Sequence, residues 1–328
     1  MAKKHRSRAW AEAPERLAAP IIDNHTHIAS VVQYAMSMSA QAAQRHMPDV
    51  PVYGVEGLIQ RAQAVGVAHM VDVGCELPNL ERAVNLAKQY PDVMKAAIAI
   101  HPNESVLHGH RGASGPDGLD VRYKPWHDVS FEDALARVHA LASQSPDDVV
   151  AIGETGLDYF RTGEEARAAQ REAFRAHISL AKELGLALQI HDRDAHEDVI
   201  DILLKDGAPE RTVFHSFSAD AAVAEIANEH GWYLSFSGTL TYKANERLRE
   251  ALRILDRRHI LIETDAPYLT PEPYRGRTNA SYLTPYTLRV MADVLGLSEE
   301  ETARLTFTNT VDAYGLPYVL PLHGQMCV

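Results

Sequence analysis

Short apolar runs alternate with longer amphipathic segments along the chain, and this alternation restricts the possible folds more than any other feature. Each apolar run is as long as a strand, whereas the segments between them repeat apolar residues three and four positions apart, as helices do. Eight strands are predicted in this way, at residues 21–23, 68–73, 94–100, 149–152, 187–191, 212–215, 232–236 and 259–263. Strands that alternate with helices run parallel, and eight such units commonly close into a (β/α)8 TIM barrel, an α/β fold.

The intervening helices complete this pattern. The segment 164–184 is the clearest, because one stripe of it holds Phe174, Ile178, Ala181 and Leu184. An open doubly wound sheet is the alternative fold, but no glycine-rich dinucleotide motif follows the first strand. We therefore predict one TIM-barrel domain over residues 20–316, with helices at 55–64, 79–89, 131–143, 164–184, 195–205, 219–229, 245–255, 285–295 and 298–314.

Charge and cysteine content exclude several classes of protein. The 44 acidic and 32 basic residues give a formal net charge of −12, which argues against a protein that coats duplex nucleic acid with a broad basic face. Cys75 and Cys327 form no C-x-x-C motif, so neither a disulfide scaffold nor a thiolate zinc site is indicated. Together with the lack of a signal peptide or long apolar run, this predicts a cytoplasmic protein without a membrane segment.

Four segments lie outside the regular pattern. Residues 1–19 are polar and charged, so we expect a loosely attached N-terminal tail, and residues 317–328 form a C-terminal tail. Residues 29–54 and 108–127 are long for connections that follow a strand, and we expect lids or binding segments there. A monomer is compatible with the sequence.

Histidines and carboxylates recur where the predicted strands end. In a barrel these carboxyl ends meet at one rim, although up to 240 residues separate them along the chain (265 − 25). Imidazole and carboxylate donors suit Zn, Mn, Fe or Mg, and six donors exceed what one tetrahedral ion needs. We therefore predict two divalent ions, Mg, Mn or Zn, with the candidate ligands His25, His27, Glu154, His191, His215 and Asp265.

Each of these positions also has a structural interpretation. His191 and His215 end apolar runs and can be core histidines bonded to the backbone, and Glu154 can cap the following helix. Asp265, which precedes Ala-Pro, can be a turn residue. Several coincidences of this kind, each at a strand's carboxyl end, are improbable.

Neighbouring side chains receive other roles. Asp158 and Asp194 are predicted to orient ligands rather than to bind metal, because one pair of ions cannot use every nearby carboxylate. His101 follows the third strand and is predicted to contact the substrate or the leaving group. Most remaining histidines, such as His177 and His230, are expected on the surface.

The motifs, taken in order, resemble those of the TatD-type metal-dependent deoxyribonucleases. The resemblance spans about residues 20–315 and rests on residues 23–27, 152–159, 189–195, 214–218 and 263–268. It implies an amidohydrolase-like TIM barrel with two divalent ions. It also implies that one ion is held by His25, His27 and Asp265, that the other is held by His191 and His215, and that Glu154 bridges the two.

Lys243 matches the lysine that the family carries after the seventh strand. Two departures bear on substrate preference. The family's usual His-Pro-His reads His101-Pro102-Asn103, and Asp192 replaces the usual serine or cysteine after the histidine of strand five.

The expected reaction is hydrolysis of DNA phosphodiesters, exonucleolytically, at single-stranded or frayed ends. Glu154 and Asp265 are the predicted catalytic residues, and Asp265 can accept the proton of the attacking water. Arg193 and Lys243 are predicted to bind the substrate phosphate, the first as a two-pronged donor. Near the rim, base stacking can involve Tyr159, Phe160 and Tyr268, although barrel packing is an equal alternative.

Two other functions fit the same residues. The metal centre can hydrolyse an ester or an amide, including the ester of an aminoacyl-tRNA, because a fold does not fix the reaction. A non-catalytic metal-holding protein is the third possibility, and it predicts a closed coordination shell without an exchangeable water.

Overall fold

The computed structural model describes residues 10–44, 51–108 and 123–320. Within these ranges eight parallel strands form one sheet in chain order. Thr26, at the end of the first strand, pairs in parallel with Ala266, which follows the last, so the sheet is a nearly closed barrel. This confirms the predicted TIM fold, with β1 Ile21–Thr26, β2 Val67–Gly74, β3 Met94–Ile98, β4 Val149–Asp158, β5 Ala187–Arg193, β6 Thr212–Phe214, β7 Tyr233–Phe236 and β8 Ile260–Ile262.

The described residues also form eleven α-helices. The nine predicted helices are all present, with ends that differ by at most two residues from those predicted. No helix within the described ranges is long and apolar enough to cross a lipid bilayer. In chain order the helices are α1 Ile28–Gln44, α2 Val55–Ala64, α3 Leu77–Gln89, α4 Pro102–Ser105, α5 Phe131–Gln144, α6 Glu164–Leu184, α7 His196–Asp206, α8 Ala221–His230, α9 Glu246–Ile254, α10 Thr284–Leu295 and α11 Glu299–Tyr314.

Helix α6 shows how the apolar stripes build the outer layer. Phe174, Ile178 and Ala181 are buried between the helix and the barrel. Burial of a side chain such as Phe174 contributes about 1.5–3 kcal/mol to stability. The helix ends where Gly185 adopts the left-handed conformation, with φ at 63°.

Helix α11 covers the end of the barrel opposite the strand C-termini, where Asn309 donates to the backbone oxygen of Ile260 at the start of β8. Tyr314 enters the barrel from this helix. Its hydroxyl donates to Asn24 Oδ1 at 3.0 Å and accepts from Gln189 Nε2 at 2.7 Å. These bonds connect α11 to β1 and β5, so the helix supports the first strand from below.

The chain ends are more firmly attached than expected in the parts that the structure describes. Ala11 and Leu17 are buried in the core, and the backbone N–H of Leu17 donates to Val65 O at 3.0 Å. At the other end, Tyr318 stacks on His69 with 3.5 Å between the ring centroids. The expectation of a loose tail is therefore wrong for residues 10–19, because apolar side chains among the charged ones pack into the core. Residues 1–9 and 321–328 lie outside the described ranges.

The two long connections differ from their predicted description. Most of residues 29–54 is the helix α1, whose Ile28, Val31 and Ala35 are buried at helical spacing. Residues 29–44 are therefore helical and not a long loop, because this spacing marks one face of a helix, and a role as lid or binding segment stays a prediction. Residues 109–122, the greater part of the other connection, lie outside the described ranges.

Candidate metal centre

His25 and His27 form one wall of a cluster at the carboxyl end of the barrel. Their Nε2 atoms lie 3.2 Å apart, and His25 is fully buried. The Nδ1 atom of His27 is 3.1 Å from Val73 O. A carbonyl oxygen only accepts, so this contact assigns the proton of His27 to Nδ1 and leaves Nε2 free to bind a cation.

Glu154 occupies the centre of the cluster. Its Oε1 atom is 3.4 Å from His27 Nε2 and 3.9 Å from His25 Nε2. Its Oε2 atom is 2.8 Å from His215 Nε2 and 3.2 Å from His191 Nδ1. Each oxygen of one carboxylate thus faces a different pair of histidines, which is the arrangement that a bridging ligand requires.

Strand β4 extends beyond its predicted end and carries Glu154 inside the strand, not at a helix terminus. The helix-capping interpretation is therefore wrong. The pairing register of β4 with β5 shifts between Gly153 and Thr155. Gly153 is required there, because a Cβ atom on it would lie 2.4 Å from Gln189 Cβ.

His191 and His215 form the opposite wall, and a carboxylate orients each of them. Asp158 Oδ2 is 3.2 Å from His191 Nε2, as predicted for an orienting residue, and the Nδ1 atom of this histidine faces the cluster. Glu263 Oε1 is 3.4 Å from His215 Nδ1 and also accepts the backbone N–H of Ser216 at 2.9 Å. Such outer carboxylates fix the ring orientation and raise the basicity of the ligand nitrogen.

Asp265 completes the first wall. Its Oδ1 atom lies 3.6 Å from His27 Nε2 and 3.7 Å from His25 Nε2. The backbone holds it there, because its N–H donates to His25 O at 2.9 Å. The preceding residue, Thr264, is fixed by Asp23, which accepts its N–H at 2.9 Å and its hydroxyl at 2.7 Å.

The charges of the cluster depend on one another. Burial acts to raise the pKa of Glu154. The charges of His215 and His101 and the hydrogen bonds of His191 and His215 outweigh burial, so the pKa of this carboxyl lies well below its usual value. Burial and the neighbouring His215 hold the pKa of His25 well below its usual value, so this imidazole is neutral. Burial acts in the same direction on the other three imidazoles, but nearby carboxylates outweigh it, so the pKa of His191 is raised to about 9 and those of His27 and His215 lie well above the usual value. A divalent cation must displace these protons, because it binds neutral imidazole.

The donor set fits divalent metal ions. Ligand atoms of His25, Glu154 and His215 lie within 4.8 Å of one another, as do those of His25, His27 and Asp265. Nitrogen and oxygen donors in this ratio suit Zn or Mn and permit Mg. All six predicted ligands are thus brought to one rim of the barrel.

His101 lies beside the cluster, with Nε2 at 3.8 Å from Glu154 Oε2. Its Nδ1 atom accepts the backbone N–H of Asn103 at 3.0 Å. Burial lowers the pKa of His101 to about 4, so the ring is neutral and its single proton is assigned to Nε2. His101 thus presents an N–H donor to the centre, and its contact with a substrate stays a prediction.

Cys75 is the residue at this centre that the sequence interpretation missed. Its sulfur lies within 4.8 Å of ligand atoms of both His27 and Glu154. The absence of a C-x-x-C motif excluded a two-cysteine site but carried no information about one thiol among histidines. The available signal was its position, directly after the end of β2.

Two cavities flank the cluster. The first has a volume of about 290 Å³ and is lined by residues that include Asp72, Cys75, Glu76, Arg82, Glu104 and Tyr268. The second has a volume of about 280 Å³ and is lined by residues that include Arg193, Ser216, Ser218, Thr239 and Asp265. The first cavity is thus lined mainly by carboxylates, beside the guanidinium group of Arg82. The second combines hydroxyl groups and the guanidinium group of Arg193 with the carboxylates of Asp192 and Asp265.

The predicted substrate cations occupy different positions. Arg193 lines the second cavity, and its guanidinium group lies 3.8 Å from the ring centroid of Phe160. Lys243 is exposed and lines neither cavity. Tyr159 is engaged in packing, because its hydroxyl bonds Asp198 and the guanidinium group of Arg167 lies over its ring.

Comparison with known sequences places the chain in a family. The profile of the family described as TatD related DNase matches residues 22–315. The chain is 38% identical to an uncharacterized metal-dependent hydrolase, TatD of Mycobacterium tuberculosis, over 81% of this chain and 92% of that protein. It is 35% identical to another, YabD of Bacillus subtilis, over 78% of this chain and 90% of that protein.

Solved structures share the fold. The TatD homologue YjjV of Escherichia coli superposes with a TM-score of 0.72 at 24% identity, over 92% of this chain and all of that one (100%). A TatD-family hydrolase of Entamoeba histolytica gives a TM-score of 0.70 at 18% identity, over 91% of this chain and 99% of that one. The profile match and the sequence relatives together establish that this chain is a metal-dependent hydrolase of the TatD-related DNase family.

Proposed function

We propose that this hydrolase cleaves DNA phosphodiesters with two divalent ions, Mg, Mn or Zn. The observation that carries the proposal is the position of Glu154, whose two carboxylate oxygens each face one histidine pair. In this assignment His25, His27 and Asp265 would hold one ion. His191 and His215, whose Nδ1 and Nε2 atoms lie 3.3 Å apart, would hold the other, and Glu154 would contribute to both. Two ions close together suit the in-line displacement at phosphorus.

The side chains around the centre have different roles in the proposed reaction. Divalent ions, when bound, lower the pKa of water and neutralise charge on the phosphoryl group. Asp265, whose side chain is 15% exposed at the edge of the centre, accepts the proton from the attacking water. His101 presents its Nε2–H to the oxygen of the leaving group and so stabilises the charge that develops there.

The second cavity supports phosphate binding. Arg193 supplies a planar donor for two phosphate oxygens, and the hydroxyl groups of Ser216, Ser218 and Thr239 add neutral donors. This cavity and the net charge of −12 favour single-stranded or frayed ends over intact duplex, because no broad basic face is needed for a short strand. Tyr268 lines the first cavity with 59% of its surface exposed, so a base can stack on its ring.

The carboxylates of the first cavity favour one alternative. Asp72, Glu76 and Glu104 outnumber the cations beside them, which are Arg82 in the same cavity and Lys124 at 3.4 Å from Glu76. The cavity therefore favours an ammonium group over a phosphate chain. A substrate with an amine near the scissile bond, such as an aminoacyl ester, fits this polarity. Hydrolysis of an ester or amide, including deacylation of aminoacyl-tRNA, is therefore the second candidate.

The proposal is tested by digesting end-labelled single-stranded DNA with the wild type and with Glu154→Gln. Both proteins are stripped of metal and supplied with Mg, Mn or Zn in turn, and the product ladder gives the direction of cleavage. We expect at least about a 10³-fold loss of turnover in the variant, since the bridging carboxylate serves both ions. His230→Gln, a change on the exposed end of α8, is the matched control and should cleave normally.

A parallel assay separates the two candidates. An aminoacyl ester and an oligonucleotide are offered to the same preparations. Turnover of DNA that persists unchanged in Glu154→Gln would identify a contaminating nuclease and reject the proposal. Metal-dependent turnover of the aminoacyl ester alone would select the second candidate.

A further inference from the structure

Cys75 borders the metal centre and has no role in the mechanism above. It follows β2 directly, and its thiol lies in the first cavity with His27 and Glu154. The three ligand atoms, sulfur, nitrogen and oxygen, are within 4.8 Å of one another. This spacing allows one cation to contact all three.

The backbone around Cys75 is fixed on both sides. Its carbonyl oxygen accepts the N–H of His101 at 3.0 Å, and that of Gly74 accepts the N–H of Ala99 at 3.1 Å. A Cβ atom on Gly74 would lie 2.6 Å from Asn79 O, so only glycine lets the start of α3 pack this closely on the strand end. The thiol is therefore held at the centre by main-chain contacts and does not depend on a flexible loop.

Without a cation the sulfur is a thiol. Burial and the carboxylates of Glu154, Glu76 and Glu104 raise the pKa of Cys75 well above its usual value. A neutral S–H group at this position can donate to the carboxylate of Glu154, whose ligand oxygen lies within 4.8 Å of the sulfur. A divalent ion reverses this preference, because a coordinated thiol loses its proton.

We propose that Cys75 supplies a thiolate sulfur to the ion that His27 and Glu154 hold. The S–H bond breaks as the sulfur–metal bond forms, and one proton leaves to the solvent. Thiolate is a soft ligand, so this position prefers Zn²⁺ to Mg²⁺ or Mn²⁺. The inference rests on the proposed metal assignment and adds a ligand to it.

The competing explanation is that Cys75 only donates a weak hydrogen bond to Glu154. Cys75→Ser keeps a donor of similar size at this position but removes the soft sulfur. The other cysteine, Cys327, lies outside the described residues and is replaced by serine throughout. The full chain with Cys327→Ser is compared with Cys75→Ser in the same background.

Zinc X-ray absorption distinguishes the explanations directly. The zinc-loaded Cys327→Ser protein should show one sulfur for the two zinc ions, at about 2.3 Å, beside nitrogen and oxygen at about 2.0–2.2 Å. Cys75→Ser should lose the sulfur and keep the other scatterers. Zinc bound through nitrogen and oxygen alone in the Cys327→Ser protein would overturn the role of Cys75 and leave the two-ion assignment intact. Failure to bind zinc at all would overturn both.

Metal competition gives a second measurement. In Cys75→Ser we expect zinc affinity to fall by about tenfold or more, with manganese affinity changed by less than about twofold. A cobalt titration adds an optical signal, since cobalt bound to a thiolate gives a near-ultraviolet charge-transfer band. That band should be present in the Cys327→Ser protein and absent in Cys75→Ser. Equal losses of zinc and manganese affinity would contradict a specific sulfur ligand.

Discussion

Asp158 Oδ2 lies 3.2 Å from His191 Nε2, on the side of the ring that faces away from the metal cluster. Asp158 also accepts from Asn103 Nδ2 at 2.9 Å and from the backbone N–H of Arg161 at 2.9 Å. A carboxylate held by three donors cannot turn freely, so it fixes both the orientation and the tautomer of His191. The orientation of His191 thus depends on a residue outside the proposed ligand set.

The change Asp158→Asn tests this dependence. An amide donates as readily as it accepts, so it no longer selects the tautomer that leaves His191 Nδ1 bare. We expect a loss of metal affinity of about 10–100-fold, measured by competition with a chromophoric chelator.

Asp194→Asn is the matched control for that change. Asp194 was predicted to share the orienting role, but it is exposed and the contact to His191 comes from Asp158. Its φ of 56° is one that asparagine tolerates. Metal affinity should remain as in the wild type. Equal losses in the two variants would point to net charge, not to orientation of His191.

The barrel and the meeting of six candidate metal ligands at one rim could be predicted from the sequence because both follow from one rule. Parallel strands place their carboxyl ends at one rim, so a ligand needs only to follow a strand to reach the centre. His25, His191 and His215 satisfy that rule, and the structure brings them together. Predicting that these three residues meet required no knowledge of side-chain packing.

Features that depend on packing could not be predicted in the same way. His177 was expected on the surface, but it is fully buried on the inner face of α6, where its Nε2 accepts the N–H of Ile100 at 3.2 Å. Lys243 matches a family motif, yet Tyr242 takes the packed position by donating to Thr270 O at 3.0 Å, and Lys243 is exposed. Contacts between segments that are distant in the sequence determine whether His177 and Lys243 are buried or exposed.

His101 is predicted to donate to the leaving group, so His101→Gln should reduce kcat and spare metal binding. The loss should reach about 10²–10⁴-fold on DNA, whose alkoxide leaving group needs a donor. The loss of kcat should be small on bis(p-nitrophenyl) phosphate, because nitrophenolate is a good leaving group that needs no proton donor. Steady-state kinetics on the two substrates and the metal content of the purified protein check this. A ligand role for His101 would instead reduce metal content and impair both substrates equally.

Arg193 is predicted to bind phosphate through its planar guanidinium group. Arg193→Gln should raise KM for the oligonucleotide by about 10–100-fold with little change in kcat, because a charge-assisted pair contributes about 1.5–3 kcal/mol. Arg193→Lys should be intermediate, since it keeps the charge but not the two-pronged geometry.

Lys243→Gln is the comparison for Arg193. Lys243 is a cation of the same face of the barrel that lines neither cavity, so its loss should leave KM within about twofold of the wild type. An effect of Lys243→Gln equal to that of Arg193→Gln would indicate diffuse attraction of the polyanion and not a specific phosphate site. Raising the salt concentration would then abolish both effects together.

His177 makes stability depend on pH without contacting the metal cluster. Burial lowers its pKa to about 4 from the usual 6.5, although a bond to Ala173 O opposes the shift. Because the pKa is lowered in the folded state, the unfolded chain binds a proton between about pH 4 and 6.5 that the folded chain does not bind. The stabilisation is therefore complete above pH 6.5 and is lost as the pH falls towards 4.

The change His177→Gln should remove that dependence. At pH ~7.5 the variant should be less stable than the wild type by about 1–3 kcal/mol, because the bond from Ile100 N–H is impaired. By pH ~5 the gap should shrink by about 2 kcal/mol, since proton binding to His177 stabilises the unfolded state of the wild type only. Urea unfolding of the metal-free proteins measures the gap, and groups common to both cancel. His230→Gln, on the exposed end of α8, should keep a constant offset from the wild type; a constant offset in His177→Gln as well would show that the buried imidazole titrates normally.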